Sequence, residues 1–501
     1  MKQTVKKDRA LRALTEKLNI KNINVPARSS LFFTITNLAC KAAAFLFTPV
    51  FTRLLSPLDY GEYSLFSTLL SLSAVLATME ISGGIIMRLF QKERKRHFLS
   101  ILSAWAISVL GAIPITAALW LINKLGGIGM SFTLAYPFLF AALISISLIN
   151  LFVSRCKFLY SWIPPLITSL MQSVTAPIIS IVLLRINSFT SAPHVTVKIG
   201  AVTSVLVITA AYILVLTVKN ASLETKEGFM NFRDTLKFMR SSVFFLLRLA
   251  LPLFPYYVSI MAISQADKLF ISSLIGKSEL AKYSVAYSAG VAPTAITSGI
   301  MSALSPWIMR RARADEYRQI RKTLDRMTTA AVPLIILFLC LAPEFFVLLA
   351  PKEYMSALPV LFISAIIPIP LALAQCSSSI AIANEKVRGV LFSGIVPALL
   401  TVALDFLIVG RSQIYAAAII TAIGFLLLAA LGIANIKKIT GHYTVNVNKA
   451  FQNLLFLLFL VITVYTFREF IFIRIGIAAL SATVILLLSK DIISLFREKE
   501  T

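Results

Sequence analysis

The sequence has few of the residues that build catalytic and metal sites, with four cysteines, three histidines and only 22 acidic residues among 501. The cysteines are far apart and have neither the spacing of a metal site nor that of a disulfide framework. They are Cys40, Cys156, Cys340 and Cys376. No glycine-rich loop precedes a lysine in the pattern that holds ATP phosphates. We therefore expect no metal and no cofactor beyond a candidate coupling ion, H⁺ or Na⁺.

Long polar segments are also scarce, because the connections between apolar runs are short. No predicted outer loop exceeds roughly 15 residues, which is too short to form a folded domain. The inner connection at 219–242 is too short as well. A catalytic domain outside the membrane is therefore excluded, and the chain is predicted not to be an enzyme.

Charged residues are also few, and their scarcity indicates the class of protein. Only 14% of the residues are charged, 58% are hydrophobic and the mean hydropathy is +0.85. These values are typical of an integral membrane protein. A spanning helix needs about 20 mostly apolar residues, and fourteen such runs can be found. They are 30–53, 63–87, 98–122, 130–153, 160–184, 199–218, 250–275, 283–308, 328–350, 357–381, 389–410, 413–436, 451–467 and 472–495.

The fold class predicted from these runs is an all-α integral membrane protein with about fourteen transmembrane helices, and twelve as the minimum. The runs lack the alternating pattern of a transmembrane barrel. Lysine and arginine number 35 in the predicted inner segments and 10 in the outer loops. This asymmetry places both termini in the cytoplasm. It also explains the net charge of +26 as contact with anionic lipid and not with nucleic acid.

An internal repeat is visible at an offset of 220 residues. The segment LLSPLDYGEYSL at 54–65 aligns with LIGKSELAKYSV at 274–285. We predict a basic cytoplasmic segment at 1–29 that lies on the membrane surface, an N-lobe of six helices at 30–225 and a C-lobe of six at 226–440. Two further helices and a cytoplasmic tail occupy 441–501. Two lobes around a central cavity are the arrangement that alternating access requires.

Three stretches resemble a known family. They are FTRLLSPLDYGEYSLFSTLLSLSAVLATMEISGGIIMRLF at 51–90, LALPLFPYYVSIMAISQADKLFISSLIGKSELAKYSVAYS at 249–288 and PEFFVLLAPKEYMSALPVLFISAIIPI at 343–369. They look like the bacterial oligosaccharide flippases of the Wzx type, in the multidrug/oligosaccharidyl-lipid/polysaccharide exporter superfamily. The family implies movement of undecaprenyl-diphosphate-linked sugar units from the inner to the outer leaflet, for O-antigen or another surface polysaccharide. No catalytic motif carries over, and Gly61 and Tyr63 are interpreted as turn-forming residues.

Charges inside the predicted spans are the candidate substrate-binding residues. Lys41 lies 11 residues into the first run, about 16 Å deep at 1.5 Å per residue, and Glu80 lies about 12 Å deep in the second. A charge at this depth usually faces a partner or a wet cavity. Two interpretations stay open: Lys41 meets the substrate diphosphate, or Lys41 and Glu80 only neutralise each other.

Three more candidates precede or occupy the seventh run. Arg248 is expected at its inner mouth, near lipid headgroups or the incoming diphosphate. Asp267 and Lys268 are adjacent, so their side chains should point to different faces. Asp405, near the outer end of the eleventh run, is interpreted as a residue of the membrane interface.

Three functions compete at this point. The first is a flippase for lipid-linked oligosaccharide in the bacterial cytoplasmic membrane, acting as a monomer, with other polysaccharide assembly proteins as candidate partners. The second is a cation-coupled multidrug exporter, which Glu80, Asp267 and Asp405 keep open. The third is a membrane polysaccharide polymerase or ligase, which should carry a large outer loop that this sequence lacks.

Overall fold

The computed structural model describes residues 25–93, 95–130, 135–186, 193–227, 231–384, 386, 388–411 and 413–497. Within these ranges the regular structure is helical and no strand is present, which confirms the all-α prediction. Most of the predicted basic segment, residues 1–24, lies outside the described residues.

Twenty helices form the described part of the chain. They are α1 (Val25–Leu54), α2 (Pro57–Thr78), α3 (Ile85–Lys92), α4 (His97–Lys124), α5 (Ala135–Phe158), α6 (Ile163–Leu170), α7 (Ala176–Ile186), α8 (His194–Glu227), α9 (Phe232–Ala250), α10 (Phe254–Phe270), α11 (Lys277–Gly290), α12 (Thr294–Arg313), α13 (Tyr317–Cys340), α14 (Ala342–Leu349), α15 (Leu358–Ser364), α16 (Pro368–Ala383), α17 (Arg388–Ile408), α18 (Tyr415–Thr440), α19 (Val447–Thr466) and α20 (Ile471–Arg497).

Each predicted apolar run falls on one helix or on two consecutive helices. Of the described helices, nine are long and apolar enough to cross a membrane. A tenth crossing is obtained if the segments 352–364 and 368–383, bent by 43°, form one span. The other predicted spans are shorter or interrupted helices, so the count of fourteen stays a prediction.

The second predicted run is not one continuous helix. Helix α2 ends where Met79 and Glu80 adopt left-handed backbone angles, with φ of 47° and 51°, and a 3₁₀ turn leads into α3. Such angles are uncommon in residues other than glycine and interrupt a helix sharply. Glu80 therefore lies at a break between two helices and not in the middle of a straight one.

Helix α9 is a feature that the sequence analysis did not predict. Its buried positions, Ser242, Leu246 and Ala250, pack toward the N-terminal half of the bundle, against α3 and α4. The opposite face exposes Phe244 and Arg248. This mixture of exposed aromatic and basic side chains is typical of a helix at a membrane interface.

The repeat offset recurs in the positions of the helices. Helix α2 begins at Pro57 and α11 at Lys277, α4 begins at His97 and α13 at Tyr317, and α8 and α18 begin at 194 and 415. Three helices of the first half thus have a counterpart in the second half that begins 220 or 221 residues later. The exact lobe boundaries stay predictions.

The α1–α2 and α10–α11 connections lie at one end of the bundle, which the charge distribution predicts to be external and which we call the predicted outer side. Helix α2 begins there with Ser56, whose Oγ accepts a hydrogen bond from the Asp59 N–H at 3.1 Å, and with Pro57 in its first turn. Both are favoured at helix N-termini. The segment that contains Gly61 and Tyr63 is therefore helix, and the turn-forming interpretation of these residues was wrong.

The two halves meet where α2 packs against α11. A Cβ atom on Gly61 would lie 1.8 Å from the carbonyl oxygen of Lys277, so only glycine permits this approach. Glu62 and Lys277 form a salt bridge at 3.3 Å. One turn deeper, the hydroxyls of Ser64 and Ser284, which the repeat aligns, are 2.5 Å apart.

A second set of contacts closes the same side. The Thr52 hydroxyl donates to the Leu349 carbonyl at 2.8 Å, and Arg53 donates to the Leu348 carbonyl at 3.1 Å. Both bonds join α1 to α14 across the halves. The structure is therefore closed on the predicted outer side.

Gly61→Ala should destabilise this closed form, because the new methyl group meets a backbone carbonyl that cannot rotate away. Overpacking of this kind typically costs about 1–3 kcal/mol. Thermal unfolding of the purified protein measures the effect. Gly476→Ala is the matched control, since a Cβ there meets no atom within 4 Å. Equal unfolding temperatures for the two variants would contradict the proposed role of the close approach.

Candidate functional site

A polar cavity lies directly below the closed side, between α2 and the pair α10 and α11. Its volume is about 210 Å³. Pockets that enclose drug-sized ligands have volumes of about 300–1,000 Å³, so this cavity is too small for an oligosaccharide while the helices stay in place. The lining residues are Tyr60, Tyr63, Ser64, Ser67, Thr68, Ser71, Gln265, Lys268, Ser284 and Ser288.

One face of α2 supplies six of the lining residues, from Tyr60 to Ser71, because they are spaced three and four residues apart. Each of the six carries a hydroxyl group, which can donate and accept hydrogen bonds. The ten lining residues include one ammonium group and no carboxylate. The cavity is therefore rich in hydroxyls and positively charged.

Lys268 provides that ammonium group, from helix α10. Its Nζ donates to the Oε1 of Gln265 at 2.8 Å and lies 5.0 Å from the centre of the Tyr287 ring. Lys268 makes no salt bridge within the described residues. Lys268 is one of the site residues predicted from the sequence, and the structure places it on the cavity wall.

Asp267 points away from the cavity, as its position next to Lys268 predicts. Its side chain is fully buried and accepts hydrogen bonds from the Tyr283 hydroxyl and, at 3.2 Å, from the Thr421 hydroxyl. Its Oδ1 also accepts from the backbone N–H of Lys268 at 2.7 Å. These bonds hold the carboxylate behind the wall, among α10, α11 and α18.

Asp405 was interpreted as a residue of the membrane interface, and this was wrong. Its side chain is fully buried because α17 packs between α10 and α18 at this level. It is close enough to Asp267 for an electrostatic interaction between the two carboxyl groups. Neither Asp405 oxygen, nor the hydroxyl of Thr401 one turn before it, has a hydrogen-bond partner in the described part of the chain.

Lys198 is the residue that the sequence analysis missed, because it was counted with an outer loop. It lies in the first turns of α8 and only 2% of its surface is exposed. Its Nζ is 3.5 Å from the centre of the Tyr63 ring, 3.9 Å from that of Phe51 and 4.8 Å from that of Tyr60. The sequence signal was its place inside the apolar stretch HVTVKIG, which begins the sixth span earlier than predicted.

Glu80 and Arg248, two further predicted site residues, do not line the cavity. Lys41 belongs to α1, but its side chain lies outside the described residues. Glu80 is at the break after α2, near Tyr257, and forms no ion pair with a described residue. The pairing of Lys41 with Glu80 thus stays a prediction. Arg248 is on the exposed face of α9.

Comparison with known proteins is consistent with this architecture. A family model described as "Polysaccharide biosynthesis protein" matches residues 27–312, more than half of the chain. Comparison with curated protein sequences gives no match.

Several solved structures have the same fold. The lipid II flippase MurJ in an inward closed conformation has a TM-score of 0.66 at 14% identity, covering 92% of this chain and 100% of MurJ. A MOP superfamily transporter from Pyrococcus furiosus has a TM-score of 0.56 at 16% identity, with 83% and 96% covered. A point mutant of the Vibrio cholerae MATE transporter VcmN has a TM-score of 0.54 at 15% identity, with 84% and 98% covered.

These structural relatives are flippases and transporters and not enzymes, which agrees with the prediction that the chain has no enzymatic activity. The multi-pass helical bundle, its two matching halves and the matched residues lead to one assignment. The chain belongs to the polysaccharide biosynthesis protein family and has the fold of MOP superfamily flippases and transporters.

Proposed function

We propose that this protein flips an undecaprenyl-diphosphate-linked oligosaccharide from the inner to the outer leaflet of the bacterial cytoplasmic membrane, for surface polysaccharide such as O-antigen. The observation that carries the proposal is the cavity lining, with Lys268, a stripe of hydroxyls and no carboxylate. Family membership in polysaccharide biosynthesis and the fold of a lipid II flippase support it.

Electrostatics favours an anionic substrate in this cavity. A charge at the centre of a spanning helix costs about 2.5–3.5 kcal/mol. Asp267 interacts electrostatically with Lys268 and offsets part of this cost, and an anion in the cavity would offset more. A diphosphate provides that anion, and lysine is a common phosphate ligand. The hydroxyls of Ser64, Ser67, Thr68 and Ser71 offer hydrogen bonds to the sugar that follows the diphosphate.

The closed outer side supports alternating access. The α2–α11 contact blocks the cavity on the side where the product would leave, and the cavity is smaller than the substrate. Both halves must therefore separate there to release an oligosaccharide. Equivalent helices of the two repeats form the contact, so a rocking motion of one half against the other would open it.

The alternative of a multidrug exporter for cationic drugs has less support, because the buried acids do not line the cavity. Asp267 and Asp405 lie behind its wall and near each other, with Thr421 bonded to Asp267. Two carboxylates and nearby hydroxyls suit H⁺ or Na⁺. We therefore assign the acids to the coupling ion and the cavity to the lipid-linked anion.

The proposal also includes three expectations from the sequence: both termini lie in the cytoplasm, the basic loops contact anionic lipid, and the protein acts as a monomer.

Lys268→Met should slow transport at least tenfold while the protein stays inserted. A hydrogen bond to a charged group is worth about 1.5–3 kcal/mol, which corresponds to roughly a 10- to 100-fold change. Lys268→Arg should retain part of the rate. Flipping of a fluorescent polyprenyl-diphosphate sugar in proteoliposomes measures it, with Lys437→Met, an exposed lysine that does not line the cavity, as the control. Full transport by Lys268→Met would refute the assignment.

Asp405→Asn should remove the response of transport to an ion gradient. Wild-type proteoliposomes should flip faster under an imposed H⁺ or Na⁺ gradient, and the variant should show the same slow rate with and without it. Stability should not fall, because the substitution replaces a buried carboxyl group, which has no bonded partner among the described residues, with an amide of the same shape that cannot ionise. Asp315→Asn, in the connection between α12 and α13, is the control. Equal acceleration of the Asp405→Asn protein would exclude this residue from ion coupling.

A further inference from the structure

Lys198 is a buried cation that the mechanism above does not use. It lies in α8, in the N-terminal half, and only 2% of its surface is exposed. It forms no salt bridge with a carboxylate of the described residues. A buried charge is usually paired or functional, because its removal from water is costly.

Three aromatic rings from two helices surround the ammonium group. Phe51 belongs to α1, and Tyr60 and Tyr63 belong to α2. The faces of aromatic rings attract cations, and this attraction is strongest away from water. These three rings, which we call the cage, stabilise the ammonium form of Lys198 without pairing it with an anion.

Two of the three rings of the cage also line the cavity. Tyr60 and Tyr63 line the cavity, and both also contact Lys198, so the ammonium lies one aromatic ring away from the cavity. Lys268 approaches the same cavity from the C-terminal half. The cavity is thus flanked by two ammonium groups, one from each half of the repeat.

The cage lies beside the contact that closes the bundle. Two of its rings are carried by α2 within one turn of Gly61 and Ser64, the residues that close the bundle against α11. Because α1, α2 and α8 all belong to the N-terminal half, Lys198 would keep its place among the rings when the halves rock apart. The distance between Lys198 and Lys268 would then increase, so the two lysines flank the cavity together only in the closed state.

We propose that Lys198 is the second phosphate-binding residue of the cavity and that it makes the site selective for a diphosphate over a monophosphate. The proposal rests on the proposed function. Lys198 stays among the three rings while the cavity holds no anion, and it binds one phosphoryl group while Lys268 binds the other. A monophosphate has one phosphoryl group, which Lys268 binds alone.

The test measures binding of a short-chain isoprenyl diphosphate and of the matching monophosphate to the full chain in lipid nanodiscs. Lys198→Met should weaken diphosphate binding at least tenfold and change monophosphate binding less than threefold. Lys198→Arg should retain most of the diphosphate preference. Lys437→Met should bind both probes like the wild type.

Thermal unfolding separates this role from a structural one. Methionine keeps the length of the side chain and contacts aromatic rings favourably, so Lys198→Met should unfold no earlier than the wild type. If Lys198→Met does not insert, Lys198→Gln provides the neutral variant and the same binding comparison applies.

The outcomes distinguish this inference from the proposed function. Wild-type protein that binds neither probe would overturn both. Diphosphate binding that is lost in Lys268→Met but unchanged in Lys198→Met would overturn the inference alone. An equal loss of monophosphate and diphosphate binding in Lys198→Met would also overturn it, because Lys198 would then not set the preference.

Discussion

The close approach of α2 to α11 at Gly61 is the constraint on which the closed structure depends. Because Gly61 has no side chain, the α2 backbone reaches the carbonyl of Lys277, and only at this separation can Ser64 reach Ser284. The same approach brings Glu62 within 3.3 Å of Lys277. These contacts close the cavity on the predicted outer side. They also place the hydroxyl-bearing residues of α2 opposite Lys268. The same face of α2 therefore makes the contact that closes the bundle and forms one side of the cavity.

The two lysines and two aspartates nearest the cavity lie on different sides of its wall. Lys268 lines the cavity and Lys198 lies one ring behind its wall, whereas Asp267 and Asp405 are buried on the far side of α10. Tyr283 and Thr421 hold Asp267 there through hydrogen bonds. An anionic substrate and a coupling cation would then occupy different places and affect each other through α10, which carries both Asp267 and Lys268. This separation is the physical basis for choosing a lipid-linked diphosphate over a cationic drug.

Properties that depend on local sequence were predictable, and properties that depend on tertiary contact were not. Apolar runs predicted the all-α fold, and adjacency alone predicted that Asp267 and Lys268 face different ways. The offset of 220 residues aligned Ser64 with Ser284, which the structure joins by a hydrogen bond. The cage of Lys198, the burial of Asp405 and the glycine requirement at Gly61 arise from helices distant in sequence, so no local pattern reveals them. The pairing of Lys41 with Glu80 is a prediction that the described side chains do not test.

The claim that α2 and α11 must separate for transport can be tested most directly by locking them together. With the four native cysteines replaced, Ser64→Cys and Ser284→Cys would place two thiols where the hydroxyls are now 2.5 Å apart. Transport of a polyprenyl-diphosphate sugar in proteoliposomes would be measured after oxidation and again after reduction. The account predicts that oxidation stops transport and that reduction restores it. Undiminished transport by fully cross-linked protein would contradict the account.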